Sequence, residues 1–182
     1  MTRAATHDDA NATRLRETAR IGFENAESAF TLLADRAIEM GDVAVASPDA
    51  RRPIDAAWDA GVLFELEGCL DACVALLFRA EHRDALVERM MGESPKALGP
   101  LAVEATLTEV ANILASHVAS GIADALGERL LPSVPMLFAE GAAGEIEAFL
   151  GERARPDAPR YSCELGEPGG ELGALLVLAP TR

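Results

Sequence analysis

Glu109 and Asn112 stand three residues apart in the segment ATLTEVANILASHVASGIADAL. On a helix that spacing sends both side chains to the same side. With Glu109 at zero on a wheel turning about 100° per residue, Leu107, Val110, Leu114, Val118, Ile122 and Ala125 gather near roughly 160° and form the expected buried face. Opposite them Ala105, Glu109, Asn112, Ser116 and Ser120 make one exposed row. The row is short-chained, with a single carboxylate and a single carboxamide. Such a face can be approached closely by another protein.

Other side chains capable of chemistry are scattered. Cys69, Cys73 and Cys163 are an odd, unclustered set, and Cys69 and Cys73 lie in an apolar strand-like run that predicts buried thiols. His7, His82 and His117 lack a second ligand at i+4, so no zinc site is expected. His117 falls near the edge of the helix's buried face, the place of a core or boundary histidine. Neither GxGxxG, nor a P-loop, nor GxSxG occurs, which removes the common dinucleotide, nucleotide and hydrolase readings.

Composition sets the background. The chain has 182 residues, 30 acidic against 16 basic side chains and a formal net charge of −14. Apolar residues make up 49%, enough for a packed core and against a disordered acidic chain. Strong acidity repels polyphosphate and excludes a nucleic-acid binder. Lys96 is the only lysine, and acidity with scarce lysine is the balance selected in a cytoplasm of very high salt, pointing to a halophilic archaeon. The polar start MTRAATHDDANATR lacks the apolar region of a signal peptide, and the apolar runs 73–78 and 173–180 are too short to span a bilayer. A cytoplasmic protein without a membrane partner is expected.

Hydrophobic period and turn signals arrange the elements around the Glu109 row. Residues 1–10 are expected to fray. A long helix is expected from about Ala10 to Met40, stopping at Gly41, then a strand over 42–46 and a loop over 47–53. Strands over 61–67 and 70–78 turn near Gly68, and a helix over 80–91 closes at Gly92. The order then restarts: a second long helix over 100–126 ending at Gly127, an extended segment over 129–138, a short helix over 143–150, a loop over 152–159, and a hairpin over 160–165 and 171–178. At an offset of 92 residues, LRETARI (15–21) superimposes on LTEVANI (107–113), and Ser28 falls on Ser120. Ala75-Leu76-Leu77 echoes Ala174-Leu175-Leu176. The expected fold is α+β: a duplicated unit with pseudo-two-fold symmetry and two long helices packed on an antiparallel sheet, forming one domain over 11–182 with halves at 11–95 and 100–180.

The second long helix and its sequel, ATLTEVANILASHVASGIADALGERLLPSVP, resemble the signature of the CheC/CheX/FliY family of chemotaxis phosphatases. There an Asp or Ser precedes a Glu by four residues, an Asn follows three later, and a proline comes after a long gap. Here Glu109-x-x-Asn112 is followed by 22 residues and Pro135. The resemblance extends further: RETARIGFENAESAF looks like a degenerate copy of the family's first helix, and EGCLDACVALLF with Gly92-Glu93-Ser94-Pro95 looks like its central hairpin, helix and turn. The C-terminal hairpin also fits. Two positions depart. Ala105 replaces the Asp or Ser, and in the first half Glu17 is present but the amide position holds Arg20, with Glu24 where the second half has Ser116. Arg20 is expected to pair with Glu17, leaving a chain with one intact site.

The resemblance implies dephosphorylation of a phospho-aspartate on a CheY-like response regulator, with Asn112 orienting the attacking water and Glu109 docking on the regulator's lysine. Ala105, Ser116, Ser120 and Pro135 would support the site or touch the partner. The chain itself would bind no cofactor or metal, and Mg²⁺ would belong to the regulator. An alternative implied role is a non-catalytic adaptor for a CheD-like receptor deamidase.

Overall fold

The computed structural model describes residues 3–181, with side chains from Thr13 onward. Helix α1 (Arg3–Ala34) leads to two short strands, β1 (Glu39–Met40) and β2 (Ala44–Ala46). A hairpin follows, β3 (Trp58–Gly68) and β4 (Ala72–Arg79), then α2 (Ala80–Met91), the single turn α3 (Pro95–Leu98) and α4 (Pro100–Leu126). Two further short strands, β5 (Leu130–Pro132) and β6 (Met136–Phe138), precede α5 (Ala142–Arg153) and the last hairpin, β7 (Arg160–Gly166) and β8 (Gly173–Pro180). The strands form one antiparallel sheet in the order β1–β7–β8–β4–β3–β5, with β2 also on β7 and β6 also on β3.

That order is its own mirror under a two-fold axis between β8 and β4. The axis exchanges α1 with α4, β1 and β2 with β5 and β6, β3 with β7, and β4 with β8, as the duplication predicts. Two hydrogen bonds carry the symmetry to atomic detail. Between β1 and β2 the Gly41 N–H donates to the Glu164 carbonyl at 2.9 Å, and between β5 and β6 the Ser133 N–H donates to the Glu65 carbonyl at 2.8 Å. The helix offset of 92 also matches burial with burial: Ala19, Phe23, Ala26 and Phe30 fall on Ala111, Ala115, Val118 and Ile122, all fully buried. The hairpin echo does not survive. Ala75 faces the layer under α5, whereas Ala174 faces the α1/α4 layer. The echo is one residue out of the register that sets Leu76 opposite Leu176 across the axis. A one-residue slip in a strand turns every side chain to the opposite face, so the two Ala-Leu-Leu runs are not equivalent.

Alternation divides the sheet between two cores. On β4, Val74, Leu76 and Phe78 point to α1, α2 and α4, while Cys73, Ala75 and Leu77 point to α5. Both faces are covered, so β3 and β4 read as continuous apolar runs. α1 and α4 approach closely because each offers a glycine. A methyl group on Gly22 would stand 3.0 Å from the Val118 carbonyl oxygen, and one on Gly121 3.0 Å from that of Ile21.

α1 differs from expectation at both ends. The segment expected to fray, residues 1–10, is helical from Arg3, while residues 1 and 2 lie outside the described residues. The helix stops at Ala34 rather than near Gly41. Asp35 turns left-handed at φ 49°, the Ile38 N–H donates to Thr31 Oγ1, and Arg89 of α2 donates to the Ala34 carbonyl at 2.7 Å, capping the helix from outside. Ile38 is buried and so continues the apolar period beyond the true helix end. By contrast α2 and α4 stop at Gly92 and Gly127, both left-handed, as expected.

The three cysteines are free, with Cys73 and Cys163 buried and Cys69 half-buried in the β3–β4 turn. Burial pushes the Cys73 and Cys163 thiols from the ordinary 9.0 up to about 11. The folded state thus favours the protonated thiols. Their contribution to stability is intact below pH 9, where the unfolded chain also keeps its protons, and is lost as pH rises toward 11. The melting temperature is expected to fall across that window, and to fall less in a Cys73→Ala/Cys163→Ala variant; scanning calorimetry from pH 8 to 11 on both proteins reads the difference.

Candidate functional site

The exposed row of α4 is in place. Ala105, Glu109, Asn112 and Ser120 are exposed and Ser116 is half-buried. The buried face matches from Leu107 to Ile122, but Ala125 is exposed: in the last turn, contact with the core passes to the half-buried Ala123 and Leu126. His117 is exposed as well, not at a core boundary. Among the described residues Glu109 and Asn112 make no hydrogen bond or ion pair, so both polar ends are available to a partner. No group of three metal-ligating side chains occurs among the described residues.

The first half holds the same positions in a closed state. Arg20 bonds Glu17 through Nη2 at 2.5 Å and Nε at 3.0 Å, and reaches Glu24 one turn on through Nη1. The Arg20 hydrogen bond, helped by the charges of Arg20 and Arg16, holds the Glu17 carboxyl below the usual carboxylate range against the opposing effect of desolvation. The guanidinium shifts upward in return. These groups are exposed, and the pair stabilises the fold little. Its consequence is chemical: the carboxylate is occupied, and a guanidinium has no acceptor atom for a water proton.

Symmetry also places Pro135. In the first half Glu17, Arg20 and Thr13 line an open cleft of about 420 Å³ with Met40–Val43, the link between β1 and β2. The offset of 92 carries Thr13 to Ala105, Glu17 to Glu109, Arg20 to Asn112 and Val43 to Pro135. The four positions singled out along the second half are therefore the counterparts of one cleft. They come from two elements, the helix α4 and the link between β5 and β6. Ser116 and Ser120 continue the row along the helix. The offset could have been applied to the links from sequence alone, since Gly41-Asp42-Val43 aligns with Ser133-Val134-Pro135. Without the paired bonds to Glu164 and Glu65, nothing marked those short segments as equivalent.

A duplicated α+β unit, with its two long helices side by side on a curled antiparallel sheet, is the fold of the CheC/CheX/FliY chemotaxis proteins. Residues 103–138, which run from α4 through β6 and include Glu109, Asn112 and Pro135, match the model of the CheC-like family. The fold is similar to that of the chemotaxis protein CheX from Desulfovibrio desulfuricans, with a TM-score of 0.66 and 10% identity over 90% of this chain and 99% of that one. It is similar to a chain of the CheX–CheY–BeF3–Mg²⁺ complex from Borrelia burgdorferi, with a TM-score of 0.65 and 18% identity over 90% and 96%. FliY from Thermotoga maritima gives a TM-score of 0.61 and 14% identity over 94% and 89%. No curated protein is matched by sequence. Among the described residues no helix is long and apolar enough to cross a membrane.

Proposed function

We propose that the chain dephosphorylates a CheY-type response regulator through Glu109 and Asn112. The observation that carries this reading is the contrast between the halves: Glu109 and Asn112 are exposed and unengaged, while their counterparts Glu17 and Arg20 are bonded to each other. The CheC-like match over that segment and the likeness to a CheX–CheY complex support it.

An aspartyl phosphate is an activated acyl phosphate, and the receiver brings its own Mg²⁺ and lysine to the transferring group. The partner has only to place a water in line. The Asn112 carboxamide oxygen accepts one proton of that water while its NH₂ donates to a phosphoryl oxygen. Water oxygen bonds to phosphorus, the bond from phosphorus to the aspartyl oxygen breaks, and inorganic phosphate and the free carboxylate leave, the water's proton passing to phosphate or solvent. A carboxylate in place of Asn112 would be repelled by the phosphoryl oxygens. Glu109 pairs with the receiver's lysine and fixes the orientation of the two proteins.

Glu109→Ala is expected to weaken binding of the phosphorylated receiver about tenfold or more, since a hydrogen-bonded charge pair across an interface contributes about 2 kcal/mol or more. Titration of labelled receiver, with the rate of label loss read at each concentration, checks it; an unchanged half-saturating concentration removes the docking role. Ala105, at the position where the resembled family has Asp or Ser, favours a second reading, an adaptor for a CheD-type deamidase. Retention of such a deamidase on the immobilised chain, with receiver label lost at its intrinsic rate, would select the adaptor.

A further inference from the structure

Two exposed apolar side chains flank the proposed site and the chemistry uses neither: Leu101 is 80% exposed and Val134 81%. Single exposed apolar residues are ordinary on a protein surface; position sets these apart. On the wheel of α4, Leu101 lies roughly 20° from Asn112 but about 16 Å before it along the axis, one turn from Ala105 at the N-terminal end of the exposed row. Val134 sits in the β5–β6 link one residue before Pro135. Ser133 fastens that link to β3 twice, its N–H donating to the Glu65 carbonyl at 2.8 Å and its hydroxyl accepting from the Glu65 N–H at 3.0 Å. With Ser133 held against the sheet, Val134 points outward from a fixed backbone.

The first half shows what else the position can carry. Val134 is the counterpart of Asp42, which lines the cleft with Glu17 and Arg20. Ser116 is the counterpart of Glu24, and Thr108 of Arg16, whose guanidinium reaches the Val43 carbonyl at 3.5 Å. From the first half to the second, two carboxylates and two guanidiniums have become valine, serine, threonine and asparagine. A phosphorylated, Mg²⁺-binding receiver site is rich in anionic oxygen, so a carboxylate at 42 repels it, whereas that of Glu24 is already held by Arg20. Loss of the Asp42 charge, with an apolar side chain in its place at the rim, fits that same partner.

Resting on the dephosphorylation reading, we propose that Val134 and Leu101 are the apolar anchors on which the phosphorylated receiver domain seats, holding its phosphoryl group over Asn112. The first half refuses the same partner through Asp42 as well as through the Arg20 clamp on Glu17 and Glu24.

The test is a titration with a CheY-type receiver loaded with BeF3⁻ and Mg²⁺, which reads binding without turnover, beside single-turnover decay of the phosphorylated receiver. Val134→Asp is expected to weaken binding tenfold or more, with the loss falling on the half-saturating concentration rather than the rate at saturation. It should shrink as salt screens the repulsion. Val134→Ile is expected to bind within about twofold of the wild-type chain, and Leu101→Gln to weaken binding several-fold. Both sites are exposed, so unchanged melting temperatures are expected and exclude misfolding as the cause. Val134→Asp binding as tightly as wild type would overturn the anchors, even if wild type accelerates decay. Wild-type binding without acceleration would remove the phosphatase reading and leave the anchors. No wild-type binding to the loaded receiver would overturn both.

Discussion

Asn112→Ala is expected to abolish stimulated dephosphorylation while leaving the complex with the receiver nearly as tight as before. Alanine removes both the acceptor that orients the water and the donor that faces the phosphoryl oxygens. Positioning and proton-accepting contributions of this kind amount to about 10²- to 10⁴-fold in rate, so the residual acceleration should fall at least about a hundredfold. Asn112 is exposed and bonds nothing among the described residues, so its loss leaves the packing of α4 intact and the effect cannot come from unfolding. Asn112→Asp is expected to fail as well, since a carboxylate keeps the acceptor but repels the phosphoryl group. Single-turnover decay of labelled receiver, with binding measured separately, checks both variants. A rate that drops only in proportion to binding would move Asn112 from chemistry to docking.

The largest structural effect is expected at Gly68, which closes β3 where the chain returns from α4. Its φ is 140°, and a Cβ there would stand 2.2 Å from the Arg129 carbonyl oxygen, the acceptor of the Cys69 N–H. Gly68→Ala therefore meets backbone, which cannot turn aside as a side chain can. Strain in a disfavoured conformation and overpacking together should cost about 3 kcal/mol. For a chain of this size that lowers the melting temperature by about 6–12 °C. Because Gly68 pairs with Leu130 at the start of β5, displacement there propagates to the link carrying Val134 and Pro135. Thermal unfolding followed by circular dichroism reads the loss; a melting temperature within about 2 °C of wild type would contradict the clash.

Much of this architecture was legible in the residues because its signals are local. Gly92 and Gly127 end their helices in left-handed conformations, and a glycine after an apolar period says so without any tertiary information. The burial of Val110, Leu114 and Val118 opposite Glu109 and Asn112 follows from period alone. Failures occurred where distant chain made the decision. Ile38 keeps the helical period yet packs from the irregular link to β1, because Arg89 from α2 caps α1 at Ala34. Ala125 keeps the period yet is exposed, because in the last turn of α4 only Ala123 and Leu126 still rest on the core. The hairpin echo failed by one residue, which in a strand is the whole difference between two cores. At the site, the pairing of Arg20 with Glu17 could be read from i,i+3 spacing, and the added reach to Glu24 from the next turn. Val134 and Leu101 could not be read, since an apolar residue in sequence carries no sign of whether the fold buries it.

The two halves thus differ in charge more than in shape. The same helix, link and sheet carry an arginine bound between two carboxylates in one half and a free carboxamide among small neutral side chains in the other. The measurement that bears most directly on this account is the decay of aspartyl phosphate on a CheY-type receiver, isolated with its label and mixed with the wild-type chain over a range of salt. Decay well above the intrinsic rate is expected, saturating with the chain's concentration and lost in Asn112→Ala. Label loss at the intrinsic rate at every salt and protein concentration would contradict it.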